Sequence, residues 1–186
     1  MSAAAPVHRR RLVLPAAVAA VIALALAPAS ASARVCHHTG ADPNEISLHK
    51  AQTATLCLIN NRRRRRGLPR LHENHRLDLA SMRHARDMAR RDFFEHGDFV
   101  GRIKRADYLD GAGSWTVGEN IAWGGGRYGT PAAVVRMWMD SPPHRANILS
   151  RDWREVGIGA VTVASAPGEY RGRPVTIVTA DFGART

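Results

Sequence analysis

The sequence predicts an α+β fold, a three-layer α-β-α sandwich in which helices cover both faces of a small antiparallel sheet. Three segments with helical periodicity lie before residue 142, and two strand-like segments close the chain. A turn-rich stretch, SAPGEYRG at 165–172, joins these two segments as a hairpin. Helices followed by paired strands are typical of the α+β class, since each element must bury its apolar face against another.

The first 33 residues differ in composition from the rest and predict a signal for secretion. Three arginines at 9–11 precede an apolar run at 12–27, and ASA at 31–33 has the small-residue pattern of a signal peptidase site. The run contains a proline and is shorter than the roughly 20 residues that span a bilayer. We therefore expect a secreted, extracellular monomer that is not transmembrane, with a signal peptide at 1–33, a mature N-terminal segment at 34–43 and one domain at 44–186.

Three helices and two strands are predicted from caps, periodicity and turn residues. The first helix is capped by Asn44 and ends at Gly67, the second runs from about His75 to Arg91, and the third starts at Pro131 after Thr130 and ends before the prolines at 142–143. The strands are predicted at 155–164 and 173–183, and HENH at 72–75 as a surface turn. His84 lies on the apolar side of the second helix, where a hydrogen-bonded core histidine is the favoured interpretation over a ligand.

The chain is strongly basic, with 27 Lys and Arg against 16 Asp and Glu and a net charge of +11. Because three arginines lie in the predicted signal peptide, the mature chain carries about +8, which favours anionic neighbours such as a cell-surface polymer or lipid. Five arginines at 62–66 end the first predicted helix, where they complement its dipole and point in different directions. We expect a solvated helix end there, since no aromatic residues alternate with them as nucleic-acid binding would require.

The only two cysteines are Cys36 and Cys57. Secretion into an oxidising space favours a disulfide between them over two free thiols.

Three segments carry residues capable of site chemistry. They are FFEHGD with His96, VGENIAWG with Glu119 and SPPHRANIL with His144. Gaps of 23 and 25 residues separate them, so no local metal-ligand motif exists. Two neutral imidazoles and one carboxylate would nevertheless form a reasonable site for a divalent metal if the fold brought them together.

These segments, with MWMDSPPHRANILS, REVGIGAV and TIVTADFG in the same order, resemble the CAP superfamily of cysteine-rich secretory, antigen 5 and pathogenesis-related proteins in its bacterial secreted (SCP) form. The resemblance covers about residues 44–183 and implies an α-β-α sandwich with a cleft of two histidines and two acids. His96 and His144 match the two histidines, and Glu119 matches the acid of the GEN segment. The family's second acid lies three residues after the tryptophan, where this chain has Ser141.

Three functions remain open from the sequence. The first is a non-catalytic binding module whose cleft holds one divalent cation weakly, zinc first, at His96, Glu119 and His144, and takes an anionic or lipid ligand. The second is a hydrolase, either metal-assisted or using Ser141 and His144 with Glu119 as the orienting acid. The third is a structural cell-surface protein with an inert cleft. We favour the first, because a nucleophilic serine normally lies on a strained, glycine-flanked turn and DSPPH is not one.

Overall fold

The computed structural model describes residues 34–166 and 168–186, so the predicted signal peptide lies outside the described residues. The helices are α1 (Leu48–Arg64), α2 (His75–Arg91), α3 (Phe99–Lys104), α4 (Pro131–Asp140) and α5 (Pro142–Leu149). The strands are β1 (His72–Glu73), β2 (Trp115–Gly124), β3 (Glu155–Ala166) and β4 (Arg173–Arg185). Within this part of the chain, no helix is both long enough and apolar enough to cross a membrane.

The sheet has the strand order β1-β3-β4-β2. The predicted hairpin is present, since β3 pairs antiparallel with β4, and β2 pairs antiparallel with the other side of β4. The sheet is mixed rather than purely antiparallel, because β1 pairs parallel with β3. The segment at 72–75 therefore does not form the predicted surface turn. His72 and Glu73 join the sheet, and Asn74 and His75 begin α2.

Helices cover both faces of this sheet, which confirms the three-layer α+β sandwich. Side chains of α1, α4 and α5 pack on one face in a core cluster that includes Ile59, Trp138 and Ile148. Helix α2 packs on the other face, where Ala85 and Met88 contact the sheet. Glycine is required on that face of β3, because a Cβ at Gly157 or Gly159 would overlap the backbone of α2.

Two of the three predicted helix starts are confirmed. The Asn74 side chain accepts hydrogen bonds from the first turn of α2, which ends at Arg91 as predicted, and Thr130 caps α4 ahead of Pro131. The predicted cap at Asn44 is wrong. Ser47 caps α1 by accepting from the Lys50 amide, while the Asn44 amide donates to Asp42 within the preceding turn.

The arginine run at 62–66 is only partly solvated, contrary to the prediction. Arg63 is completely buried, and its guanidinium donates to three backbone carbonyls, those of Pro69, Ile148 and Ser150, at 2.7–2.9 Å. Successive helical residues rotate by ~100°, so one of five consecutive side chains faces the core. Arg63 thereby fastens the end of α1 to the end of α5.

The predicted disulfide between Cys36 and Cys57 is confirmed and ties the N-terminal segment to α1. The Asn61 side chain donates to the Arg34 carbonyl at 2.7 Å and accepts from the Arg34 amide at 3.2 Å. Further along, the Thr39 carbonyl accepts from the Ala132 amide at 2.8 Å. The segment at 34–43 is thus fixed across α1 to the start of α4.

Candidate functional site

The predicted site residues meet at β2, the strand at one edge of the sheet. Successive residues of a strand point to opposite faces. Glu119 accordingly lies on the face covered by α2, and Asn120 lies on the face covered by α5. Strand β2 was not predicted, because VGENIAWG places glutamate, asparagine and glycine among its apolar residues. Those polar residues carry the site.

Glu119 forms the buried centre of the site. Its side chain is 1% exposed, and its Oε1 lies 2.8 Å from His96 Nδ1. Its Oε2 accepts from the Arg102 guanidinium at 2.5 Å and lies 3.9 Å from His84 Nε2. Both carboxylate oxygens are therefore engaged by protein groups, and Arg102 compensates the negative charge.

Arg102 was not identified from the sequence, although it is decisive for the chemistry of Glu119. It projects from α3, which begins three residues after His96 with Asp98 as its cap. No helix was predicted between 92 and 114, since α3 is only six residues long. Short helices give too little periodicity to be recognised from sequence.

His144 is held by Ser141 on the other side of the site. Ser141 ends α4 and precedes Pro142 and Pro143, which start α5 and lack the amide hydrogens that would continue α4. Its Oγ lies 2.9 Å from His144 Nδ1. Burial, with a further contribution from the nearby His96, lowers the pKa of His144, which favours the neutral imidazole.

A serine hydrolase of the kind considered above would need the Glu119 carboxylate in contact with His144, and this contact is not formed. Such a triad places the serine at one ring nitrogen and the acid at the other. Here Ser141 takes Nδ1 of His144, whereas Glu119 orients His96. Glu119 therefore orients His96, and Ser141 orients His144.

Two asparagines that the sequence analysis did not identify position α5 against β2. Asn120 Nδ2 donates to the His144 carbonyl at 3.0 Å. Asn147 Nδ2 lies 2.9 Å from Asn120 Oδ1 and 3.1 Å from the Glu119 carbonyl. These bonds fix the backbone of His144 relative to the strand that carries Glu119. The sequence signal for them was their position inside the GEN and HRAN motifs, next to Glu119 and His144.

The rings of His96 and His144 approach each other beyond the edge of the sheet, with centroids 6.3 Å apart and planes inclined by 43°. Each ring has its Nδ1 hydrogen-bonded, to Glu119 and to Ser141 respectively. Within residues 34–166 and 168–186, neither Nε2 has a hydrogen-bond partner. The site therefore offers two oriented imidazole nitrogens, and 48% of the His96 side chain is exposed.

A fully buried polar group, Asp181, lies behind Glu119 and was also missed. Asp181 pairs with Glu119 in the register of β2 and β4, and its Oδ2 accepts from Ser81 of α2 at 2.9 Å. Burial, with a further contribution from Glu119, raises the pKa of Asp181 well above its ordinary value. His84 is 2% exposed and bonds to the Glu95 carbonyl at 3.0 Å, as predicted for a core histidine.

These contacts decide which of the predicted ligands His96, Glu119 and His144 have atoms available for a metal ion. In the described part of the chain, no group of three or more His, Cys, Asp or Glu side chains has an arrangement suited to a metal ion. Glu119 is occupied at both oxygens, and a divalent ion bound to it would face the Arg102 guanidinium. Two imidazole nitrogens suit zinc as ligands, and the carboxylate then orients one of them.

Comparison with known proteins matches residues 56–182 to the CAP model, described as the cysteine-rich secretory protein family. The chain belongs to the CAP family. The uncharacterized protein YkwD of Bacillus subtilis (strain 168) is 30% identical over 142 residues, which is 74% of this chain and 52% of YkwD. The CAP chain thus spans about half the length of that relative.

Solved structures share the fold at low identity. An outer surface protein of Borrelia burgdorferi has a TM-score of 0.58 at 19% identity, covering 79% of this chain and 99% of its own. An extracellular protein containing an SCP domain from Bacillus anthracis has a TM-score of 0.55 at 23% identity, covering 74% of this chain and 43% of its own. A cysteine-rich secretory protein of Staphylococcus aureus has a TM-score of 0.51 at 16% identity, covering 76% of this chain and 38% of its own. The predicted CAP fold is confirmed.

Proposed function

We propose that this CAP protein is a secreted, non-catalytic binding module that takes one divalent cation weakly, zinc before others, at His96 and His144. The observation that carries the proposal is the pair of imidazoles with ring centroids 6.3 Å apart, each oriented through Nδ1 and each with Nε2 unpartnered in the described residues. Two protein nitrogens hold zinc less firmly than the three or four ligands of established zinc sites. Weak, exchangeable binding is the expected result.

The environment of Glu119 supports a binding role over catalysis. A general base needs a carboxylate that can take up a proton, but Arg102 and His96 occupy both oxygens of Glu119. Positive charge from Arg102 also opposes tight retention of a divalent ion at this place. An ion held only by the two histidines would act as a ligand-exchange site for a carboxylate or phosphate group of a partner.

Secretion is supported by the sequence and by the relatives. The structural neighbours from Bacillus anthracis and Borrelia burgdorferi are described as extracellular and outer surface proteins. The disulfide between Cys36 and Cys57 is stable in an oxidising compartment and rare in reducing ones.

Zinc titration by calorimetry tests the proposal. We expect His96→Ala/His144→Ala to weaken zinc binding at least about tenfold, since removal of both nitrogens leaves no ligand pair. His72→Ala/His75→Ala, which removes two exposed histidines, one in β1 and one at the start of α2, is the matched control and should retain full affinity. Unchanged affinity in the first variant, with loss in His37→Ala/His38→Ala, would move the site to the N-terminal segment. No zinc binding by the unaltered protein would favour an inert cleft.

A hydrolase is the second candidate, because Ser141 Oγ lies within hydrogen-bond distance of His144 Nδ1 at 2.9 Å. Two prolines follow Ser141 and contribute no amide hydrogens, so the adjacent chain is poor in donors for an oxyanion. We expect no hydrolysis of peptide or ester substrates that depends on both residues. Turnover lost in Ser141→Ala and in His144→Ala but kept in His72→Ala would establish the hydrolase instead.

A further inference from the structure

A second concave site lies between α1 and the N-terminal segment. Its volume is about 470 Å³, which is within the ~300–1,000 Å³ typical of small-molecule pockets. The lining comes from residues 34–38 and from α1 and the loop after it. We call it the α1 pocket; its lining residues are Arg34, Val35, Cys36, His37, His38, His49, Lys50, Thr53, Ala54, Leu56, Cys57, Asn60, Asn61, Arg64 and Arg70. It shares none of them with the His96 and His144 site.

The charge of the α1 pocket is entirely positive. Four side chains with a permanent or near-permanent positive charge line it, Arg34, Lys50, Arg64 and Arg70, and no aspartate or glutamate does. Among residues 34–166 and 168–186, none of these four forms a salt bridge. A concave surface with one sign of charge concentrates ions of the opposite sign. The pocket is therefore suited to an anion.

The walls of the α1 pocket are fixed before any ligand arrives. The disulfide joins Cys36 of one wall to Cys57 of the other, and Asn61 clamps the backbone of Arg34. The Arg64 guanidinium contacts Asn61, while its buried Nε has no hydrogen-bond partner in the described chain. Preorganised walls reduce the ordering cost of binding.

We propose that the α1 pocket binds a phosphate ester on a flexible polyol chain. Arginine and lysine side chains recognise phosphate through short, charge-assisted hydrogen bonds, and arginine can present two donors to two phosphate oxygens. The apolar part of the lining, which includes Val35, Ala54 and Leu56, can contact the carbon skeleton between phosphates. A repeating polyol phosphate meets both requirements.

Two other phosphate sources fit the pocket less well. A bilayer presents its headgroups as a broad surface, whereas this site is concave, and Val35 is the one large apolar side chain of its lining that is strongly exposed. A nucleic acid would need aromatic side chains for base stacking, and the lining has no phenylalanine, tyrosine or tryptophan. A flexible polyol phosphate requires only cationic side chains and a short apolar contact for binding, and the α1 pocket provides both.

Calorimetry with glycerol 3-phosphate and with a short poly(glycerol phosphate) tests this proposal. Lys50→Gln/Arg70→Gln removes two exposed charges that make no hydrogen bond in the described structure, so the fold should be retained. We expect about tenfold weaker binding of both probes and a weaker salt dependence. Arg86→Gln/Arg90→Gln, which removes two exposed charges from α2, is the matched control and should keep the affinity.

Three outcomes would overturn the proposal. The first is equal weakening in the control, which would mean that net charge and not the pocket attracts the probes. The second is equal affinity for polyglutamate of matched charge, which would remove the preference for phosphate. The third is binding to phosphatidylglycerol vesicles or single-stranded DNA without binding to either polyol phosphate. Loss of zinc binding in His96→Ala/His144→Ala with unchanged phosphate affinity would show that the two sites are independent.

Discussion

The His96 and His144 site and the α1 pocket are opposites in how they treat positive charge. In the first, the Arg102 guanidinium is 12% exposed and donates to Glu119, whose side chain is 1% exposed. In the second, Arg34, Lys50 and Arg70 are exposed and have no acidic partner within the described chain. The first arrangement uses its cation to hold the fold, and the second leaves its cations available to a ligand.

This difference shows why charge composition alone does not locate a function. Removal of one partner of a buried ion pair is strongly destabilising, because it leaves an uncompensated buried charge. Exposed cations contribute little to the free energy of unfolding. Their main effect is on the affinity for an anionic ligand. Substitutions in the two regions should therefore separate stability from binding.

Removal of Arg102 should have the largest effect on stability. Arg102→Met leaves the buried Glu119 carboxylate without its cation, and we expect the free energy of unfolding to fall by about 4 kcal/mol in urea denaturation. Arg105→Met is the control, because its contact with Asp98 at 3.9 Å is largely exposed, and it should change little. Recovery in Arg102→Met/Glu119→Gln would assign the loss to the unpaired charge. Equal stabilities for both single variants would contradict the buried role of Arg102.

Loss of the disulfide should have the next largest effect on stability, and of the two sites only the α1 pocket should lose affinity for its ligand. The disulfide joins residues separated by 21 positions in the sequence. Cys36→Ala/Cys57→Ala removes this cross-link, and we expect the free energy of unfolding to fall by about 3 kcal/mol. Glycerol 3-phosphate binding should weaken with it, because one wall of the pocket is no longer fixed. Zinc binding at His96 and His144 should persist, and its parallel loss would show that the two sites are coupled.

The smallest expected effect is a pH dependence on the α2 side of the sheet. Burial raises the pKa of Asp78 to about 6, although its Oδ1 accepts from the Ile158 amide at 2.7 Å. A raised carboxyl pKa gives stability that is complete below the ordinary value of 3.8 and is lost as the pH rises through about 6. Asp78→Asn keeps the acceptor without the charge. The pKa shift corresponds to about 3 kcal/mol, and solvent screening at this partly buried position reduces the expected gain in stability to about 2 kcal/mol at pH 7–8.

At pH 4 the same variant and the natural chain should unfold with nearly equal free energies, because Asp78 is then largely protonated in the folded state. Denaturant unfolding at several pH values between 4 and 8 measures the difference. A constant difference across this range would mean that Asp78 ionisation does not contribute.

Local sequence signals predicted the elements that are long or firmly capped. Helix α2 and the starts of α2 and α4 follow from apolar periodicity and from cap residues such as Thr130 before Pro131. The hairpin of β3 and β4 follows from two apolar runs around a turn. The order of five motifs identified the CAP fold, which the family match over 56–182 confirms.

Elements that lack such signals were missed or misplaced. Helix α3 is too short for periodicity, β1 has two residues, and β2 interrupts its apolar pattern with Glu119 and Asn120. The arginine run gave no sign that Arg63 alone would turn inward, because that depends on where α5 supplies the carbonyls of Ile148 and Ser150. Each of these outcomes depends on partners distant in the sequence.

The sequence by itself determined which residues could form the site, namely His96, Glu119, His144 and the departure at Ser141. Only the tertiary structure decided what each of them contacts. It placed Arg102 against Glu119, and it brought the rings of His96 and His144 to a centroid distance of 6.3 Å. It also gathered cations from the N-terminal segment, α1 and the following loop into one pocket. The physical reason is that charge and hydrogen-bond capacity are properties of residues, whereas their compensation depends on distance, which folding sets.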